Sequence, residues 1–125
     1  MSRDEVIAHW RKGARQALEL AGAAHERCIY SLALFHCNLA VEKALKAAFI
    51  KDNDQEPPYT HNLVAVAQKL KRPWTKAQLN ELAELSKYAV AARYDDPLWM
   101  EQEATAAKSQ FWMEKARIYF SLLDV

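Results

Sequence analysis

The sequence predicts an all-α fold, an antiparallel up-and-down bundle of about five helices, four long and one short. Three observations carry this expectation. Only 2 Gly and 4 Pro occur in 125 residues, too few for a turn-rich β fold. Hydrophobic residues make up 51% of the chain, enough for a substantial core. They recur at helical spacing over long stretches free of proline. The length fits one domain, expected to span residues 1–125.

The organising stretch is Ser31–Lys51, without Gly or Pro and rich in Ala, Leu, Glu and Lys, all strong helix formers. At about 100° per residue, Leu34, Cys37, Val41, Leu45, Ala48 and Phe49 share one apolar stripe. Ala33, Ala40, Ala44 and Ala47 form a small-residue flank where another helix can approach closely. Asn38 interrupts the stripe and Glu42 stands at its edge, so this helix is expected to be central and to carry polar groups into the core. A buried amide without a hydrogen-bond partner costs about 1–3 kcal/mol.

The remaining elements follow in order. A first helix is expected from Ser2 to about Ala24, with Ser2 and Glu5 forming a capping box. Ile7, Trp10, Ala14, Ala17, Leu18 and Ala21 would face inward, and Gly13 and Gly22 would permit close helix contact. After Asp52 the segment DNDQEPPY lacks hydrophobic pattern and reads as a loop. Thr60 is expected to cap a short helix over 61–70, with Leu63, Val66, Ala67 and Leu70 inward. Thr75 is expected to cap a fourth helix to about Ala92, with Leu79, Leu82, Ala83, Ser86, Ala89 and Val90 on one face. Pro97 breaks the chain, and a last helix is expected from about Glu101 to Leu123. Its apolar surface is wider than a small bundle needs. A homodimer face and thick aromatic packing are both open readings of that surface.

Several function classes lose support at this stage. The formal net charge of +1, from 17 basic and 16 acidic residues, gives no global drive toward nucleic acid or membrane. Cys28 and Cys37, if on one helix, lie roughly 13.5 Å apart along its axis, too far for a disulfide. Free cysteines fit a cytoplasmic location. The N-terminal MSRDEVIAHW does not read as a signal peptide, and no apolar run reaches the roughly 18 residues of a membrane span. No two of His9, His25, His36 and His61 stand three or four apart, so neither a metal site nor a cofactor is expected. With two glycines, no Gly-rich phosphate loop can form.

Four residues are candidates for holding an anion. His61, placed at the first turn of its helix, would meet free N–H groups there. The plainer reading has it hydrogen-bonded to a neighbour. Arg93 continues the inward face of the fourth helix, either as a phosphate fork or as a C-terminal cation paired with Asp95 or Asp96. Lys108 and Lys115 fall near the Ala104–Phe111–Ile118–Leu122 stripe. They either snorkel past it or join an anion site with Arg93. Asn38 and Glu42 are the expected buried polar residues.

The order of segments carries a resemblance. A first helix with Trp10 is followed by AVEKALK at Ala40–Lys46, a proline loop, Thr60-His61-Asn62-Leu63, Arg93-Tyr94 and a closing helix. This resembles the HEPN family (higher eukaryotes and prokaryotes nucleotide-binding domain) over nearly the whole chain. The resemblance implies a helical bundle, commonly dimeric. It implies one of two roles: partner of a minimal nucleotidyltransferase in toxin–antitoxin-like pairs, or metal-independent ribonuclease. The nuclease branches carry an Arg and a His with about four to six residues between them. Here Arg93 is followed at those distances by Leu98, Trp99 and Met100. The expectation is therefore a non-catalytic module that binds a nucleotide or a nucleotidyltransferase partner. The alternatives are a ribonuclease using Arg93 with a displaced base such as His61, and a nucleic-acid-binding protein.

Overall fold

The computed structural model describes residues 1–94 and 96–125. Asp95 lies outside the described residues, as do the side chains of Ala92 and Arg93, so the expected Arg93 fork and its pairing with Asp95 lie outside the description too. Among the described residues there are seven helical segments and no strand: α1 (Arg3–Glu26), α2 (Tyr30–Asn53), α3 (Leu63–Gln68), α4 (Lys76–Ser86), α5 (Tyr88–Tyr94), α6 (Pro97–Gln102) and α7 (Ala106–Leu122). The expected all-α bundle is present. The segments outnumber the expected helices because the fourth and last predicted helices are each broken once.

α1 starts where the sequence placed it. The Glu5 N–H donates to Ser2 Oγ at 3.1 Å, and the Ser2 hydroxyl donates to the Glu5 carboxylate at 3.1 Å. Ile7, Ala14, Ala17 and Ala21 are buried, with Trp10 and Leu18 packed at the edges. The helix closes through Cys28, which takes a left-handed φ of 61°. There the Ile29 N–H donates to Ala24 O at 2.9 Å and the Cys28 N–H to His25 O at 2.9 Å. This six-to-one closure turns the chain straight back into α2.

α2 is the hub, packing on α1 most extensively and also on α7, α5, α3 and α4. Leu34, Cys37, Ala40, Val41, Ala44 and Leu45 are fully buried along it. Arg3 Nη2 donates to Lys51 O at 2.6 Å, fixing α1 and α2 antiparallel. His25 Nδ1 and Ser109 Oγ are 2.8 Å apart, and Lys51 pairs with Asp124 at 3.5 Å. α7 therefore runs parallel to α2 and antiparallel to α1. Burial pushes the Cys37 thiol up to about 12, so this cysteine is an inert core group.

Four local expectations need correction. The cap of α3 is Asn62, whose side chain accepts the Ala65 N–H at 3.2 Å. Thr60 instead accepts the Asn62 N–H at 3.1 Å, so His61 precedes the helix and is not in its first turn. The predicted fourth helix breaks at Lys87, which rotates the buried face: Leu82, Leu85, Tyr88 and Ala89 are inside while Ala83 and Val90 are exposed. α7 buries Trp112, Met113, Ala116, Tyr119 and Phe120 and leaves Phe111, Ile118 and Leu122 exposed, opposite to the predicted stripe. A Cβ on Gly13 would stand 3.2 Å from Lys43 Cδ, whereas one on Gly22 would meet nothing within 4 Å, so only Gly13 serves close contact.

Candidate functional site

The site begins with a buried carboxylate. α2 places Glu42 in the bundle interior, where it is 4% exposed. One turn on, Lys46 donates to Glu42 Oε2 at 3.3 Å, and the same ammonium stands 5.7 Å from the centre of the Trp10 ring. The other carboxylate oxygen meets His61 Nδ1 at 2.9 Å. The ionised carboxylate can only accept, so this contact assigns the proton to Nδ1 and leaves Nε2 as the free ring nitrogen. The His61 side chain is 71% exposed, so one edge of the imidazole is anchored in the core and the other meets solvent.

The backbone around His61 is held as firmly as its ring. The Ser86 hydroxyl donates to His61 O at 3.1 Å and accepts the Leu63 N–H at 3.2 Å. Thr60 and Asn62 close the two turns on either side through the bonds described above. Leu63 is fully buried beneath this network and anchors the segment to the core. The sequence suggests such a lock only in part, because Thr, Asn and Ser are all turn formers. Nothing in it announces that Ser86 reaches back across the bundle.

Beside His61 opens a cleft of about 520 Å³. His61, Asn62 and Val64 line it from one side, and Ala83, Ser86, Lys87, Ala89 and Val90 from the other, with Lys87 paired to Glu84 at 3.2 Å. The cleft's lining surface is mostly apolar. Arg93 lies one turn beyond Ala89 on α5. Lys108 is engaged by Glu103, which raises its pKa through their hydrogen bond. Lys115 pairs with Glu81 at 2.6 Å. Burial pushes the Glu81 carboxyl up, but hydrogen bonds from Lys115 and Tyr119 outweigh it and the net shift is down. Asp96 caps α6, accepting N–H groups from Leu98 at 2.9 Å and Trp99 at 3.3 Å. The structure thus gathers Glu42, Lys46 and His61 into one constellation, while Lys108 and Lys115 sit in separate ion pairs along α7.

Asn38 lies one turn before Glu42 on α2 and is 2% exposed. Its Oδ1 is buried without a hydrogen-bond partner among the described residues. Both expected buried polar residues are therefore buried, but only one of them is satisfied. Sequence reasoning missed Lys46 and Ser86. The spacing of Glu42 and Lys46, one helical turn, was the available signal for the first.

Among the described residues, no three His, Cys, Asp or Glu side chains come together as a set of metal ligands. No helix is long and apolar enough to cross a membrane. No curated relative and no solved structure shows a match to the chain. The family model of the HEPN domain does match, over residues 7–117. That span takes in α1 through most of α7, including Glu42, Lys46, His61, Ser86 and Arg93, and the chain belongs to the HEPN family.

Proposed function

We propose that this chain is a non-catalytic HEPN binding module of toxin–antitoxin type, a single cytoplasmic domain over 1–125 that holds a nucleotide or serves a minimal nucleotidyltransferase as its partner. One observation carries the reading. An imidazole fixed by a buried carboxylate lines a cleft whose surface is mostly apolar. Val64, Ala89 and Val90 suit a flat heteroaromatic base, and His61 and Asn62 suit the polar edge or phosphate of the same ligand. Arg93, one turn along α5, adds a cation for the phosphate. Lys108 and Lys115 would join only on release from Glu103 and Glu81. Calorimetry with ATP and GTP tests this: heat is expected with wild type and a loss of tenfold or more in affinity with His61→Ala. No heat with either nucleotide removes the nucleotide reading. Failure to co-purify with a co-expressed nucleotidyltransferase removes the partner reading.

The module is expected to act as a homodimer. Phe111, Ile118 and Leu122 form an exposed apolar row on α7, the kind of surface a second copy would cover. Light scattering that finds only monomer at high concentration removes this part.

A second reading is favoured by the same histidine. A carboxylate on Nδ1 holds the ring in the tautomer whose Nε2 can take a proton, the arrangement of a general base. With Arg93 steadying the phosphate, His61 would activate the 2′-hydroxyl of RNA, and DNA would be spared. Incubation with RNA in chelator, using wild type, Arg93→Ala and His61→Ala, separates the readings. Cleavage by wild type alone makes the chain a ribonuclease with a displaced base.

A further inference from the structure

On the opposite flank of α1 lies a second cleft, of about 280 Å³. Arg3, Arg11 and Arg15 of α1 and Lys51 of α2 line it, with Asp4 the one carboxylate among the lining residues. At about 100° per residue, Arg11 and Arg15 lie on one side of the buried Ile7–Ala14–Ala21 stripe, and Trp10 and Gly13 on the other. This cleft is therefore separate from the one beside His61.

Its cations are not alike. Arg3 is pinned by Asp54 at 3.1 Å, and Lys51 by Asp124 at 3.5 Å. Arg11 and Arg15 have no carboxylate partner among the described residues, and Arg11 Nε is buried without a hydrogen-bond partner. Arg11 is half-buried and Arg15 exposed; elsewhere in the bundle the buried or half-buried Lys46, Arg72 and Lys115 are paired with Glu42, Asp52 and Glu81. Two like charges one helical turn apart also weaken the helix that carries them. An unneutralised arginine pair, in a cleft walled by two more cations, has the chemistry of an anion site. Guanidinium forks match the oxygens of a tetrahedral dianion and grip it through paired N–H donors. The cleft has room for one or two phosphate groups, and it lacks the broad apolar floor that a base would require.

We propose that Arg11 and Arg15 form a phosphate-binding site for a small phosphorylated ligand, pyrophosphate-like in its charge and size, with Arg3 and Lys51 as its walls. The ligand enters the cleft between α1 and the end of α2. Its oxygens accept from the guanidinium N–H groups of Arg11 and Arg15 that face the cleft and neutralise the pair.

The test is a titration of sodium pyrophosphate at low ionic strength, read by calorimetry and by the thermal midpoint. Four proteins are compared: wild type, the Arg11→Gln/Arg15→Gln double variant, Arg27→Gln as an exposed control cation, and His61→Ala. The expected result is saturable binding and a midpoint that climbs with ligand in wild type, Arg27→Gln and His61→Ala. The double variant should bind at least tenfold more weakly while keeping its helical circular dichroism. Retention by His61→Ala keeps this site distinguishable from the nucleotide cleft. Absence of binding in wild type, or equal binding in the double variant, overturns the proposal. A single-stranded RNA that displaces pyrophosphate at equal phosphate concentration overturns the small-ligand assignment in favour of a strand backbone. If the double variant loses its helical signal, Arg15→Gln alone decides: unchanged affinity then overturns the proposal, and a severalfold loss supports it.

Discussion

The two clefts of this bundle are built on opposite principles. Beside His61 the polar groups are largely tied to one another: Glu42 has Lys46 and His61, Ser86 has His61 O and the Leu63 N–H, and Thr60 and Asn62 close their own turns, which leaves His61 Nε2 open to the cleft. Along α1 the polar groups have been left over: Arg11 and Arg15 make no ion pair among the described residues, and Asp4 is the one carboxylate lining their cleft. The first cleft is preorganised by hydrogen bonds, so its geometry should survive salt. The second attracts by net charge, so its affinity should fall steeply as salt rises. A chain of nearly neutral net charge can therefore carry a charged site, provided its acids are used elsewhere.

The largest effect should come from breaking the paired side. Glu42→Ala leaves the buried Lys46 ammonium without its carboxylate and should cost about 3 kcal/mol, read by urea denaturation. A change below about 1 kcal/mol would mean that the Glu42–Lys46–His61 constellation does not hold the core.

Next is Arg72, an arginine that does have an acid. Asp52 accepts from Arg72 Nη2 at 2.9 Å and from the Lys71 N–H at 2.9 Å. The Arg72 hydrogen bond holds its carboxyl below the ordinary 3.8 despite partial burial. The stabilisation is therefore present above the ordinary value and is lost as the pH falls through the lowered one. Asp52→Asn should cost about 2 kcal/mol at neutral pH, and the gap from wild type should close as the pH drops well below 3.8. A gap that persists undiminished in acid would assign the effect to packing.

A smaller effect, of opposite sign, is expected at Asn38. Its buried Oδ1 has no partner, so replacing the amide by an apolar group of similar size removes a polar burial cost. Asn38→Leu should leave stability unchanged or raise it by about 1 kcal/mol. A clear loss would reveal that the amide is satisfied in solution. Smallest of all, Arg15→Gln should raise stability by about 0.3 kcal/mol at low salt by relieving the charge pair with Arg11. The gain should vanish at high salt.

What could be read from the sequence follows the same division. The all-α bundle, the place of α2 and the caps at Ser2 and Thr75 were legible, because periodicity and capping chemistry are local. The cap of α3 was misplaced by two residues because Thr60 and Asn62 are both competent, and the tertiary bond from Ser86 to His61 O favours the later start. The buried face of α7 was missed because the helix is apolar on several sides. Its packing partners choose Trp112 and Tyr119 over Phe111 and Ile118, and Tyr119 brings a hydroxyl that reaches Glu81 Oε1 at 2.8 Å. Glu42 and His61 were each singled out, but their contact joins two elements across the fold, and no local pattern encodes it. Arg11 and Arg15 drew no notice because a basic residue on an exposed helix flank is ordinary until its missing counter-charge is visible.

The proposed nucleotide module stands or falls on ligand binding in the His61 cleft. The most direct measurement is a titration of isotopically labelled protein with ATP, followed by amide chemical shifts in NMR spectra. The account predicts that the largest shifts fall on His61, Asn62, Val64, Ser86 and Ala89, with a smaller set around Arg11 and Arg15 that pyrophosphate alone reproduces. Shifts confined to the Arg11–Arg15 flank, or none at all, would contradict it.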